Sequence, residues 1–131
     1  MDAISRDKLK QKGIKRLGKS FKYALEGLVY AFKFEQNIWV HTLATILVII
    51  FGFAFEISSF EWLIIVLAIG LVIATELINT SIEAVVDLTC KEINPIAKIA
   101  KDTAASAVMI FAFTAVVAAL IIFVPKILTL I

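Results

Sequence analysis

Four residues in the second half of this 131-residue chain have types and spacing suited to chemistry: Glu76, Asn79, Glu83 and Asp87. At about 100° per helical residue they fall in one narrow sector of a single helix face. The positions between them are mostly Leu, Ile, Val and Ala, at the end of an apolar run that begins near Trp62. An ionisable group inside such a segment is expensive unless it faces a bundle interior or a water-filled cavity. A polar helix end reaching into headgroups accounts for Asp87 and for Glu83. It accounts poorly for Glu76, about two helical turns deeper. The line of three carboxylates and an amide therefore reads as a cation-binding and chemical stripe.

The elements that must hold this stripe are membrane elements. The chain is 61% hydrophobic, and its apolar residues are gathered into long runs. This is the pattern of a membrane protein and excludes an ordinary soluble domain. The length suits one domain, residues 1–131, with no internal repeat and no Gly-rich linker. Residues 1–17 form a basic segment. Residues 18–36 predict an amphipathic helix with an apolar side (Phe21, Leu25, Leu28, Val29, Phe32), a charged side (Lys19, Lys22, Glu26, Lys33) and a small-residue side. Such a helix lies in the interface of a bilayer. Residues 38–55, 60–88 and 103–125 predict three transmembrane helices; the first would cover roughly 27 Å. Pro95 is expected to break the chain before the third span. The fold class expected is all-α: a surface helix and three spans.

Nine of the thirteen Lys and Arg residues precede residue 34. The first loop has none, and the second holds Lys91, Lys98 and Lys101. The positive-inside rule then puts the N-terminus and the second loop in the cytoplasm and the C-terminus outside. Glu35, Glu83, Asp87, Lys101 and Asp102 all fall near the cytoplasmic interface. The net charge of +2 carries no nucleic-acid footprint, and no nucleic-acid partner is expected. The single Cys90 forms no intrachain disulfide and fits no metal-ligand spacing.

Acidic and basic groups converging at a cytoplasmic membrane face suit magnesium and a nucleotide. Magnesium takes one or two carboxylates and phosphate oxygens, for which Glu35 and Glu83 are candidates. Arg16, Lys19 and Lys101 offer positive charge to phosphates. Glu35 has a second reading, as a helix end near water. His41 also has two: a hydrogen-bonded interfacial histidine beside the anchor Trp39, or a group with a part in binding. Glu76 sits where a lipid headgroup hydroxyl arrives, and a desolvated carboxylate is a strengthened base. The combination describes phosphoryl transfer from ATP to a lipid alcohol. There is no G-x-x-x-x-G-K-[ST] loop and no kinase-type Gly-rich loop, so a nucleotide site must be built from helices. The competing reading is a small proton- or cation-coupled transporter in which Glu76 carries the ion. It gives Lys101 and Asp102 no task.

The run Glu76-Leu-Ile-Asn-Thr-Ser-Ile-Glu-Ala-Val-Val-Asp87 resembles the signature of the small integral-membrane lipid kinases of bacteria, the prokaryotic diacylglycerol kinase and undecaprenol kinase family. Ala100-Lys101-Asp102-Thr103-Ala104-Ala105-Ser106-Ala107-Val108 resembles its second motif, and the resemblance covers roughly residues 15–125. It implies a homotrimer in the bacterial cytoplasmic membrane, with active sites shared between neighbouring subunits. It implies Glu76 as the catalytic base that takes the proton of the lipid hydroxyl, with Asn79 beside it at the substrate. It makes Glu35 and Glu83 the ligands of the magnesium that accompanies ATP. It assigns Arg16, Tyr23, Glu92, Lys101 and Asp102 to the nucleotide. Two features depart from the Gram-negative diacylglycerol kinase pattern. His41 stands at an acidic position, and Asn94-Pro95-Ile96-Ala97-Lys98 is more similar to the Gram-positive branch, many of whose members prefer undecaprenol.

Overall fold

A computed structural model describes residues 14–129 of the chain. Four helices account for almost all of them: α1 (Ile14–Phe34), α2 (Gln36–Ala54), α3 (Ser59–Thr89) and α4 (Pro95–Leu128). There is no strand among the described residues. The chain divides between Phe34 and Glu35 into two units. Residues 1–13 of the basic segment expected over 1–17 lie outside the described residues.

In the first unit, α1 carries its charges and its apolar residues on different sides. Lys22 and Glu26 pair at 3.7 Å, one turn apart and both exposed. Phe21, Leu25 and Val29 are exposed as well. A solvent-facing helix does not present such a row; one lying in a lipid interface does. Lys33 stands in the last turn, where a cation complements the helix dipole, and its ammonium lies 5.5 Å from the centre of the Phe34 ring. The helix starts four residues before the expected boundary at residue 18 and stops at Phe34, two residues short of the expected end.

The second unit contains α2, α3 and α4, all long and apolar enough to cross a membrane. The turn between α2 and α3 is tight. The Ile57 N–H donates to the Gly52 carbonyl (3.1 Å), and Glu56 adopts a left-handed φ of 47°. Ser58 then starts α3 with a reciprocal cap. The Ser58 N–H donates to Glu61 Oε2 (2.7 Å), and the Glu61 N–H donates to Ser58 Oγ (3.3 Å). The other oxygen of Glu61 accepts the ammonium of Lys126, 3.3 Å away, near the end of α4. At the opposite end of the pair, Lys101 near the start of α4 bonds Asp87 near the end of α3 at 2.6 Å. These two ion pairs show that α3 and α4 run antiparallel, tied at both ends. Ile65, Ile122 and Phe123 fill the space between them near the Glu61 end, with Ile57 from the turn packed on top.

α4 begins eight residues before the expected Thr103 and runs on past Pro125. Pro95 starts this helix instead of breaking it. It occupies the first turn, where its missing N–H is not needed, while Asn94 caps the helix by accepting the Ile96 N–H at 2.8 Å. Pro125 lies inside the last turns, and the helix closes at Leu128. α2 and α3 each differ from the expected spans by no more than two residues at either end.

Gly52 is the glycine of this unit with the closest neighbours. A Cβ placed there would sit 2.6 Å from Cη2 and 2.8 Å from Cζ2 of Trp62, and 3.2 Å from Ile57 Cδ1. The indole is rigid and is held by Phe53, whose ring centre lies 5.0 Å away. Gly52→Ala is therefore expected to destabilise the helical unit by about 1–3 kcal/mol through overpacking. Thermal denaturation in detergent measures this, and an unchanged midpoint would contradict the close contact.

Candidate active site

The stripe on α3 runs from buried to exposed. Glu76 is 1% exposed and Asn79 5%, the two buried polar side chains among the described residues. Glu83, one turn after Asn79, is half-buried, and Asp87 is exposed. The helix repeat stacks these four residues over successive turns. The Asn79 amide N–H donates to Glu83 Oε1 at 3.1 Å, which fixes the second carboxylate against the amide. The hydroxyls nearest along the helix are committed to the backbone: Thr80 donates to the Glu76 carbonyl at 3.1 Å, and Thr75 to the carbonyl of Leu71.

Neither carboxyl oxygen of Glu76 has a hydrogen-bond partner among the described residues, and neither does Oδ1 of Asn79. Burying such groups without partners costs about 1–3 kcal/mol each on the scale of protein mutations. All three atoms belong to side chains that line one cavity of about 260 Å³. Asn37 and His41 of α2 line it from one side, and Ala105, Val108 and Met109 of α4 from another. His41, Glu35 and Glu83 act on Glu76 electrostatically, and the Asn37 side chain stands beside it as a neighbouring donor without a hydrogen bond of good geometry. The chamber thus has three acceptors without a well-formed bond, the imidazole of His41, the amide of Asn37 and otherwise apolar walls. It suits a small polar group that brings a donor, at the end of an apolar body.

Glu35 is neither in α1 nor buried in a bundle. It is the extended residue that precedes α2, half-buried, and its side chain makes no capping bond to the helix it starts. That leaves its carboxylate available within electrostatic reach of Glu76. Among the described residues no three His, Cys, Asp or Glu side chains gather as a metal cage. Glu35 and Glu83 both act electrostatically on Glu76, and magnesium generally needs only one or two carboxylates beside phosphate and water.

The other expected site residues are distributed differently. Lys101 is paired with Asp87, which brings a cation to the exposed end of the stripe. Asp102 is exposed on α4 and pairs with Lys98 one turn before it. Glu92 is exposed in the loop between α3 and α4, where its carbonyl accepts the Cys90 thiol at 3.3 Å. Arg16 and Tyr23 are exposed on α1, in the other unit. One chamber residue, Asn37, was not singled out by the sequence. Its spacing of four from His41 puts both on one face of α2, a signal hidden by the single-helix stripe of acids on α3.

Residues 22–123 match the family model described as prokaryotic diacylglycerol kinase. The chain belongs to that family. An undecaprenol kinase of Bacillus subtilis is 43% identical over 113 residues, which are 86% of this chain and 92% of that one. A diacylglycerol kinase of Synechocystis is 38% identical over 85% of this chain and 64% of its own longer length. A diacylglycerol kinase of Helicobacter pylori is 38% identical over 77% of this chain and 79% of that protein. As a member of the prokaryotic diacylglycerol kinase family the chain is a membrane-embedded lipid kinase, and the transporter reading finds no support among these relatives.

The buried carboxyl of Glu76, with no hydrogen bond of good geometry, works against stability. Glu76→Met keeps the volume and removes the polar atoms. It is expected to raise stability by about 1–3 kcal/mol. A thermal melt in detergent checks this, and a lowered midpoint would mean that Glu76 has a structural partner.

Proposed function

We propose that this protein transfers the γ-phosphoryl group of magnesium-ATP to the hydroxyl of a membrane lipid alcohol, undecaprenol or diacylglycerol, giving undecaprenyl phosphate or phosphatidic acid. The observation that carries the reading is the Glu76 carboxylate, buried, without a hydrogen bond of good geometry, and facing a largely apolar chamber that Asn37 and His41 also line. A lipid hydroxyl entering that chamber donates its hydrogen bond to Glu76. As the oxygen attacks the γ-phosphorus, Glu76 takes the proton, and the bond from phosphorus to the β,γ-bridging oxygen breaks. ADP leaves with that electron pair. Asn79, held by Glu83, offers its carbonyl oxygen to the substrate and keeps Glu83 oriented.

Glu35 and Glu83 are the residues that would hold magnesium, which supplies charge neutralisation on the phosphate oxygens when bound. Arg16, Tyr23, Glu92, Lys101 and Asp102 complete the nucleotide contacts in this reading. Lys101 exchanges its bond to Asp87 for one to phosphate, or holds both. The site lies at the cytoplasmic face of the bacterial inner membrane, with the C-terminus outside. The assembly is a homotrimer whose neighbouring subunits share each site. The identity to an undecaprenol kinase supports the isoprenoid alcohol, and the identities to diacylglycerol kinases support the glycerolipid.

Two variants test the roles separately. Glu76→Gln keeps the shape and loses the base. It is expected to lower kcat by roughly two to four orders of magnitude, the typical contribution of general base catalysis. Its magnesium-ATP affinity should be kept. Turnover within a few-fold of wild type would end the assignment. Glu83→Gln is expected to raise the magnesium concentration needed for half-maximal rate. A magnesium titration identical to wild type would remove Glu83 from the metal site.

A further inference from the structure

The chamber around Glu76 is not isolated. A second cavity, of about 270 Å³, runs between α2, α3 and α4 and is walled almost entirely by Val, Ile and Ala. Its lining shares Val40, His41 and Ala112 with the chamber. The two spaces, one polar and one apolar, therefore adjoin at these three residues, which form the neck of the proposal below. Val40 and Ala112 have no polar side-chain atoms. His41 is the one side chain of the three that can donate or accept a hydrogen bond. It is half-buried and acts electrostatically on Glu76. The one-turn spacing from Asn37 turns both polar groups of α2 toward the chamber wall. The walls of the apolar part near the neck are small, Ala44 on α2, Ala68 on α3 and Ala115 on α4, which leaves room for a hydrocarbon chain between the helices.

We propose that His41 is a positioning residue for the lipid alcohol. The substrate threads the neck with its hydroxyl in the chamber and the first part of its chain in the apolar cavity. The imidazole hydrogen-bonds the polar end of the lipid and sets the depth at which the hydroxyl meets Glu76. A chain without polar atoms gains nothing from the histidine; the group at the end of the chain does. This deepens the kinase reading and rests on it. It gives His41 a task that an interfacial anchor would not have.

The test uses the full-length protein in detergent–lipid mixed micelles, with undecaprenol and, separately, diacylglycerol as the lipid probe. Three variants are compared with wild type: His41→Ala, His41→Gln and, as a control in the apolar channel, Ala115→Val. His41→Ala is expected to raise the KM for the lipid alcohol by about five- to tenfold, as for loss of one substrate hydrogen bond. The KM for magnesium-ATP should stay within twofold of wild type. His41→Gln keeps a donor and an acceptor near the neck and is expected to recover most of the lipid KM. Ala115→Val narrows the channel and should raise the lipid KM without changing that for ATP. Unchanged lipid KM in His41→Ala would overturn the proposal. So would equal losses for lipid and ATP in that variant, or failure of His41→Gln to recover any of it, since each marks a structural role. Failure of wild type to phosphorylate either lipid would instead count against the kinase reading itself.

Discussion

The constraint on which this structure turns is the burial of a carboxylate among apolar helices. Glu76 is almost completely enclosed, and its oxygens form no hydrogen bond of good geometry with a described group, although the Asn37 side chain stands beside them. Such a group persists only where the surrounding structure holds it in place, and groups of this kind cluster at functional sites. Everything near it is consistent with that requirement. Thr75 and Thr80 spend their hydroxyls on the helix backbone. Asn79 gives one N–H to Glu83, and its carbonyl oxygen is left as a buried acceptor without a partner. The acceptor-rich pocket that results is matched to a ligand that brings its own proton, which is the property of an alcohol.

Holding that pocket open is the work of the helix pair α3 and α4. The pair is tied at one end by Glu61 with Lys126 and at the other by Asp87 with Lys101. Near the first tie, a packed group of Ile57, Ile65, Ile122 and Phe123 makes a hydrophobic anchor. The site lies toward the second tie, where polar side chains join the apolar ones. The stability of the bundle and its chemistry are thus placed at opposite ends of the same two helices. Glu61 shows the economy of the anchor. One of its oxygens caps α3 and the other pairs with α4, so one residue sets both the start of a helix and its register against the next.

Much of this was legible in the sequence, because it follows from periodicity and from the penalty on charge in apolar surroundings. The 3-4-4 spacing of Glu76, Asn79, Glu83 and Asp87 needs no tertiary information, and the two deepest members are the two that are buried. Pro95 was misread because the same residue that breaks a helix interior is favoured in its first turn. Only the cap at Asn94 distinguishes the two cases, and Asn is equally at home in a loop. Glu35 was ambiguous because the chain turns there between two helices, and local pattern does not fix where a helix ends. Asn37 and His41 were the least legible. Each is a single polar residue at the start of a span, and either suits a headgroup interface. Only the packing of α2 beside α3 and α4 turns them into the wall of a chamber.

The most direct measurement of the central claim is a phosphate-transfer assay on the purified wild-type protein. It uses γ-labelled ATP and magnesium, with undecaprenol and diacylglycerol offered side by side in mixed micelles and the organic phase analysed for labelled lipid. The account predicts label on at least one of the two alcohols, as a monophosphate, in amounts that grow with the lipid fraction of the micelle. A helical, well-dispersed preparation that hydrolyses or ignores ATP and labels neither alcohol would contradict it.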